Sequence, residues 1–498
     1  MKHRPAAQVW TSEVSLFRSK TLFTALLLLA LPLQAQSENN PQARLGPLEF
    51  SNDYPTAKTA SRLYDELDFQ RACQVYLWAL PAMNMVAMRD GQAAIVGGGN
   101  NVLAIWKQRP NSKTLFLTAN PDVVYGQAFI DLKDGPVVFE APPQMQGLLD
   151  DFWHRPLTDV GLAGPDQGKG GKYLLLPPDY AGKVPAGYYA LKSPTYGVFV
   201  FLRAFLDDGK TEAGVQLIEQ ARIYSLAQKD KPPAMQFPNA SAVPSDYVFK
   251  HDIHYFEALA SFLEHEPVAP EDLAMRGMAA SLGIVKGQPF QPDMRMQAIL
   301  DSAADVAFKM ATVESYDSRH PNKLIYPDRK WEPAFLDGSP VFRKDSYLDL
   351  DAMISFFHKA FSTSNGMVVK MPGKGAQYLF SPRDADGNYL SGGTSYRLHV
   401  PANVPAANFW SVVLYDADTR SLLDNGQPFP SIASNSNLKL NADGSADIWF
   451  GPTPPKAANA NWIKTVPGRG YFASLRLFGP TQTFFNKEWK PDDIVKVQ

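Results

Sequence analysis

The sequence predicts an α+β protein that is mainly β: a helix-decorated β domain, a mostly helical middle segment, and a C-terminal β sandwich of jelly-roll type. Three observations predict it. Apolar residues recur at helical spacing from Tyr54 to Gly91, short apolar runs alternate with turn residues from about 102 to 205, and the same alternation returns after Lys370. A chain of 498 residues, with 41 prolines, 34 glycines and 12% aromatics, is too long for one ordinary core and suits ordered β domains with long connections.

In chain order, Thr56 or Thr59 offers an N-cap, and Leu63, Leu67, Val75 and Leu80 form an apolar series; Pro81 is expected to kink or split this helix near Ala79. Gly97 to Asn101 reads as a loop. Leu115 to Leu117, Gln127 to Ile130, Val137 to Phe139, Tyr173 to Leu176 and Gly197 to Leu202 read as strands. Helical spacing resumes over 211–226, 247–264, 272–282, 293–310 and 347–361. Strands follow at 377–380, 396–400, 409–415, 448–450 and 471–478, with Asp424-Asn425-Gly426 and Asn441 to Gly444 as turns. The expected organisation is a helix-plus-β domain at 45–205, a helical segment at 206–368 and a β sandwich at 369–498.

Residues 1–35 have the order of a secretory signal: positive charge at Lys2, Arg4, Arg18 and Lys20, an apolar run from Leu22 to Leu33, and a small residue, Ala35, at the expected cleavage position. That run is shorter than the roughly 20 residues a bilayer span needs, and no later segment reaches that length without charge. A mature chain from Gln36, periplasmic or secreted and without a transmembrane segment, is expected. The net charge of −2 gives no electrostatic footprint for nucleic acid. The lone Cys73 permits no internal disulfide, and its apolar neighbours make it a small buried residue rather than a nucleophile.

The runs LYDELDFQRACQVYLWALP, LTANPDVVYGQAFIDLKDGPVVFEAP and GGKYLLLPPDYAGKVPAGYYALKSPT resemble domain of unknown function 1254. DADGNYLSGGTSYRLHVP, NFWSVVLYDADTRSLLDN, NADGSADIWFGPTPP and NWIKTVPGRGYFASLRLFGP are similar to domain of unknown function 1214. The resemblance implies a helix-decorated β domain followed by a jelly-roll-like one, in a family of commonly exported proteins, and it supplies no catalytic residues.

Chemistry must therefore be read from the residues. The phosphate-loop, dinucleotide, nucleophile-elbow and HExxH signatures are missing. Gly168 to Lys172 and Asp384 to Asn388 read as turns. Asp122 and Tyr125, three apart in a loop between strands, offer either a base and a proton carrier or an Asx turn with a hydrogen-bonded tyrosine. Asp151 beside His154 offers general acid/base work, against a turn with Phe152 and Trp153 packed inward. Trp410, Tyr415, Asp416, Arg420, Trp462 and Arg476 offer aromatic and charged contacts for a glycan or other amphipathic ligand, against a sandwich core in which Asp416 and Arg476 form an ion pair. His251 and His254, read as i and i+3 on a helix, are a weak candidate for a divalent metal; no other cofactor is expected. Three functions follow: a nucleotide-independent hydrolase or lyase on an extracytoplasmic substrate, a lectin-like envelope protein binding a carbohydrate or lipid-derived ligand, or a structural or assembly role with the proline-rich loops as contacts. The sequence leaves the oligomeric state open.

Overall fold

The computed structural model describes residues 43–241, 243–436, 438–456 and 460–497; the expected signal segment lies outside them. The chain divides into two units, 1–64 and 65–498. Within the first, Phe50–Ser51 pairs with Tyr54–Pro55 as a short hairpin, and the Arg62 Nη1 donates to the Leu45 carbonyl at 2.6 Å. A 40-residue helix, Ala57–Val96, begins there and runs into the second.

The fold is α+β with strands dominating, as the alternation of apolar runs and turns predicts. The larger unit contains two sandwiches, each of one five-stranded and one four-stranded sheet. In the N-terminal sandwich the five-stranded sheet has Gly197–Phe205 at its centre, paired with Val123–Asp131 and Gln146–Asp151. In the C-terminal sandwich Tyr471–Pro480 is central, paired with Ala376–Ser381 and Ala406–Asp416.

Side-chain alternation explains why both central strands read as nearly continuous apolar runs. Val198, Val200 and Leu202 enter the core inside the N-terminal sandwich, while Phe199 and Phe201 enter a second core on the opposite face. Ala473, Leu475 and Leu477 likewise fill the C-terminal sandwich, while Phe472 and Phe478 enter that same second core. Each five-stranded sheet is thus buried on both faces, and the largest core gathers residues of both sheets and of the helices His254–His265, Met294–Tyr316 and Leu350–Lys359.

The sequence reading needs correction in places. The helix Ala57–Val96 is continuous across Pro81, because Ala79, Leu80, Ala82 and Met83 are all buried and packing outweighs the roughly 3 kcal/mol that an interior proline costs. Its stretch from Ala72 to Met88 is buried on nearly every side, whereas Leu67, expected on the apolar stripe, is exposed. The helix expected at 211–226 ends at Ile218, and Arg222–Ser225 is a strand that pairs with Val137–Ala141, carrying the N-terminal sandwich beyond residue 205. Cys73 is buried, which pushes its thiol up to about 11. Among the described residues no helix is long and apolar enough to cross a membrane.

Candidate functional site

Alternation puts one further residue of each central strand on the shared core: Arg203 beside Phe199 and Phe201, and Arg476 beside Phe472 and Phe478. Both line one narrow cavity, whose other walls include Tyr125, Tyr378, Phe201 and Phe361, and in which water centres can occupy about 50 Å³. That volume admits a few waters or a small polar group.

Arg476 is 4% exposed. Its Nη2 donates to the Thr118 carbonyl and to the Tyr415 hydroxyl, both at 2.5 Å, and its Nε is buried without a partner. Arg203 donates through Nη1 to the Tyr378 hydroxyl at 3.2 Å, and its Nε is likewise buried and unpartnered. Guanidinium groups stay protonated in proteins, and buried charges ordinarily find a counter-charge. Here the nearby carboxylates are Asp122 and Asp159, and both are already engaged. Asp122 accepts from Arg109 Nη2 at 3.1 Å and from Ser431 Oγ at 2.7 Å; Asp159 accepts from the Gly366 amide at 3.1 Å. Burial raises the pKa of both, opposed by those hydrogen bonds. Arg203 and Arg476 line the cavity and no carboxylate does, which leaves it with excess positive charge.

Local backbone chemistry places these groups. The Asp122 amide donates to Asn120 Oδ1, an Asx turn, and the Asn120 amide donates to the Tyr125 hydroxyl at 2.9 Å. Of the two readings of this loop, its geometry is the Asx turn with a bonded tyrosine. The Tyr415 hydroxyl donates to Ala119 O at 2.6 Å, so one short loop from Thr118 to Asn120 holds Arg476, Tyr415 and Tyr125 together. Burial raises Tyr125 and Tyr415 above the ordinary tyrosine range, which keeps both hydroxyls protonated.

Asp151 and His154 do not join them. Asp151 Oδ1 accepts from the Trp153 and Arg155 amides, and burial lifts its carboxyl to about 6. His154 is 1% exposed and in left-handed backbone (φ 57°), and burial lowers its imidazole to about 3. Its Nδ1 accepts from the Ser362 amide at 3.2 Å, and its carbonyl accepts from Thr363 Oγ1. Asp150, 3.7 Å from His154, accepts from the Thr363 amide and is raised well above the carboxylate range by burial. With the His154 imidazole neutral this contact is no ion pair. The cluster pins 362–363 behind the cavity wall that Phe361 and Ser362 form.

The C-terminal candidates separate as well. Trp410 enters the core inside the sandwich; half-buried Trp462 donates to Gly451 O at 3.1 Å. The partner of Asp416 is Arg469, at 2.6 Å, not Arg476. Buried Arg420 donates to His358 O at 3.0 Å. Of that set only Arg476 lines the cavity, with Tyr415 bonded to it from behind. The helix expected to carry both His251 and His254 begins at His254, whose Nδ1 is 2.9 Å from Asp252, while His251 stacks on Phe308. Among the described residues, no group of three or more His, Cys, Asp or Glu side chains could hold a metal ion. Arg203, Tyr378 and Arg109 were missed; the signal for Arg203 is a lone charge in an apolar strand, Gly197–Phe205.

The fold and the site define a two-sandwich α+β protein with a buried cationic cavity between two sheets. Residues 100–225 match the family "Protein of unknown function (DUF1254)" and residues 375–482 match "Protein of unknown function (DUF1214)", so the chain carries both domains in that order. No curated protein matches it. Among solved structures it is similar to the VPA0106 protein from Vibrio parahaemolyticus, with 18% identity, 86% of this chain and 100% of that one covered, and a TM-score of 0.52, a likeness of fold. An uncharacterised protein from Burkholderia cenocepacia gives 15% identity over 88% of this chain and 97% of its own, with a TM-score of 0.40.

Proposed function

We propose that the protein binds a small anionic molecule, outside the cytoplasm, in the cavity between Arg203 and Arg476. The convergence of buried Arg476 and half-buried Arg203, each with a buried, unpartnered Nε donor, carries this reading. An oxyanion there accepts from both, and from the Tyr125 and Tyr378 hydroxyls, which accept bonds from their neighbours and have protons left to give. Titration calorimetry with acetate, sulfate and phosphate on the wild type and on Arg203→Met and Arg476→Met tests it. Millimolar or tighter binding of one anion, lost in both variants while they stay folded, is expected; no binding of any anion overturns it.

Catalysis by acid/base chemistry, as a hydrolase or lyase, is a second reading, favoured by Tyr125 standing protonated in the wall that holds Arg476. It predicts that Tyr125→Phe abolishes turnover of an ester or phosphate ester and leaves binding nearly unchanged. Export belongs to the same proposal: N-terminal sequencing of the secreted or periplasmic protein is expected to begin at Gln36, and an intact Met1 in cell fractions overturns it.

A further inference from the structure

The cavity has a neighbour. A larger pocket, in which water centres occupy about 350 Å³, is walled in part by Ala334, Met367 and Tyr378, and the same three residues wall the inner cavity. These shared walls place the two chambers side by side. The outer chamber falls in the range of small-molecule sites, and its lining is largely apolar, with Leu324, Phe335, Leu336, Val368, Phe484 and Phe485 among its residues. Asp337, the one carboxylate among those lining residues, lies 3.6 Å from Lys344 Nζ and accepts from the Ser339 amide at 2.9 Å. Lys370 and Lys487 also line it.

We infer that the two chambers form one site for an amphipathic monoanion, a carboxylate with an unbranched apolar tail, whose head enters between Arg203 and Arg476 and whose tail lies in the outer chamber. This rests on the anion-binding reading above and adds the chemical class of the ligand. Polarity decides the orientation. The guanidinium groups line the smaller inner cavity, where a charge is strongly felt, and the apolar side chains of the outer chamber offer a tail a place out of water.

The test is a chain-length series of acetate, butyrate, hexanoate and octanoate, titrated into the full-length protein, with octylamine and 1-octanol as controls. Each added methylene buried in the outer chamber is expected to tighten binding by about threefold to fourfold, and neither control is expected to bind measurably. Leu336→Trp and, separately, Val368→Trp fill the outer chamber at positions that do not line the inner cavity. In variants that keep the wild-type circular dichroism spectrum, the gain with length is expected to vanish while acetate binding stays. Affinity independent of chain length overturns this inference and leaves the anion reading standing. Octylamine binding as tightly as octanoate overturns the head-group assignment, and a length gain that survives both outer-chamber variants overturns the two-chamber path. Absence of binding by every anion removes the underlying reading, and this inference with it.

Discussion

Arg203 and Arg476 hold equivalent positions in two sheets: each lies on the middle strand of five, on the face turned away from its own sandwich core, in a Leu-Arg-Xaa-Phe run. They differ in their partners. Arg476 supplies the Thr118 carbonyl and the Tyr415 hydroxyl, whereas Arg203 supplies the Tyr378 hydroxyl. Removing a donor leaves a buried acceptor unsatisfied, at about 1–3 kcal/mol each. Arg476→Met is therefore expected to cost about 2–3 kcal/mol and Arg203→Met about 1 kcal/mol, read from urea denaturation of the ligand-free protein. Equal losses would contradict the division of labour.

The asymmetry also bears on what the sequence could reveal. Arg476 is a candidate from its aromatic and charged surroundings, whereas Arg203 directly follows the apolar run Gly197 to Leu202 and, although Phe201 and Phe205 flank it, reads as the edge of a strand. Its hydroxyl partner, Tyr378, is 175 positions away, and nothing in local periodicity announces a contact of that separation. Strands and turns were legible because alternation and Gly/Asp turns are local. The strand Arg222–Ser225 was not, since four residues beside a short helix carry too little period to distinguish the two. Asp151 and His154 were legible as an unusual cluster but not as a buried one. Burial there depends on the segment at 362–363, supplied from two hundred residues further on.

Ser431 Oγ donates to Asp122 at 2.7 Å from a strand of the C-terminal sandwich, and the Arg109 guanidinium also packs 3.8 Å from the centre of the Phe429 ring. Asp122 thus ties the Asx-turn loop to that sandwich. Asp122→Ala leaves Arg109 without its carboxylate in a largely buried place and is expected to cost about 3 kcal/mol. Asp122→Asn keeps an acceptor and is expected to cost less than half of that. Thermal denaturation of the two variants decides it, and equal destabilisation would sink the ion-pair assignment.

The pH response of Asp151 has a definite sign. Its carboxyl is raised from 3.8 to about 6 by burial, so the folded chain holds this proton more tightly than the unfolded one. Its contribution to stability is complete below pH 3.8 and is lost as pH rises through about 6, a loss on the order of 3 kcal/mol. Asp151→Asn keeps the Oδ1 that accepts from the Trp153 and Arg155 amides and removes the titration. The variant is expected to gain stability relative to the wild type between pH 4 and pH 8, measured by urea midpoints. A difference that does not change with pH would refute it.

His154 responds with the opposite sign. Its imidazole is lowered from 6.5 to about 3, so as pH falls below 6.5 the unfolded chain takes up a proton that the folded chain refuses, and stability is lost down to about pH 3. Two structural facts separate its replacements. The backbone at His154 has φ 57°, a region that asparagine tolerates better than alanine, and the Ser362 amide needs an acceptor there. His154→Ala removes that acceptor, the stacking on Phe357 and most of a buried ring, and is expected to cost about 3–5 kcal/mol at pH 7. His154→Asn offers Oδ1 to the amide in a compatible backbone and is expected to cost about half as much. Both should remove the share of the acid-side loss between pH 6.5 and pH 4 that His154 contributes. Hydrogen exchange at the Ser362 amide gives the second readout: rapid exchange in the alanine variant and retained protection in the asparagine variant. If the two variants exchange alike, His154 does not hold the cavity wall through that bond.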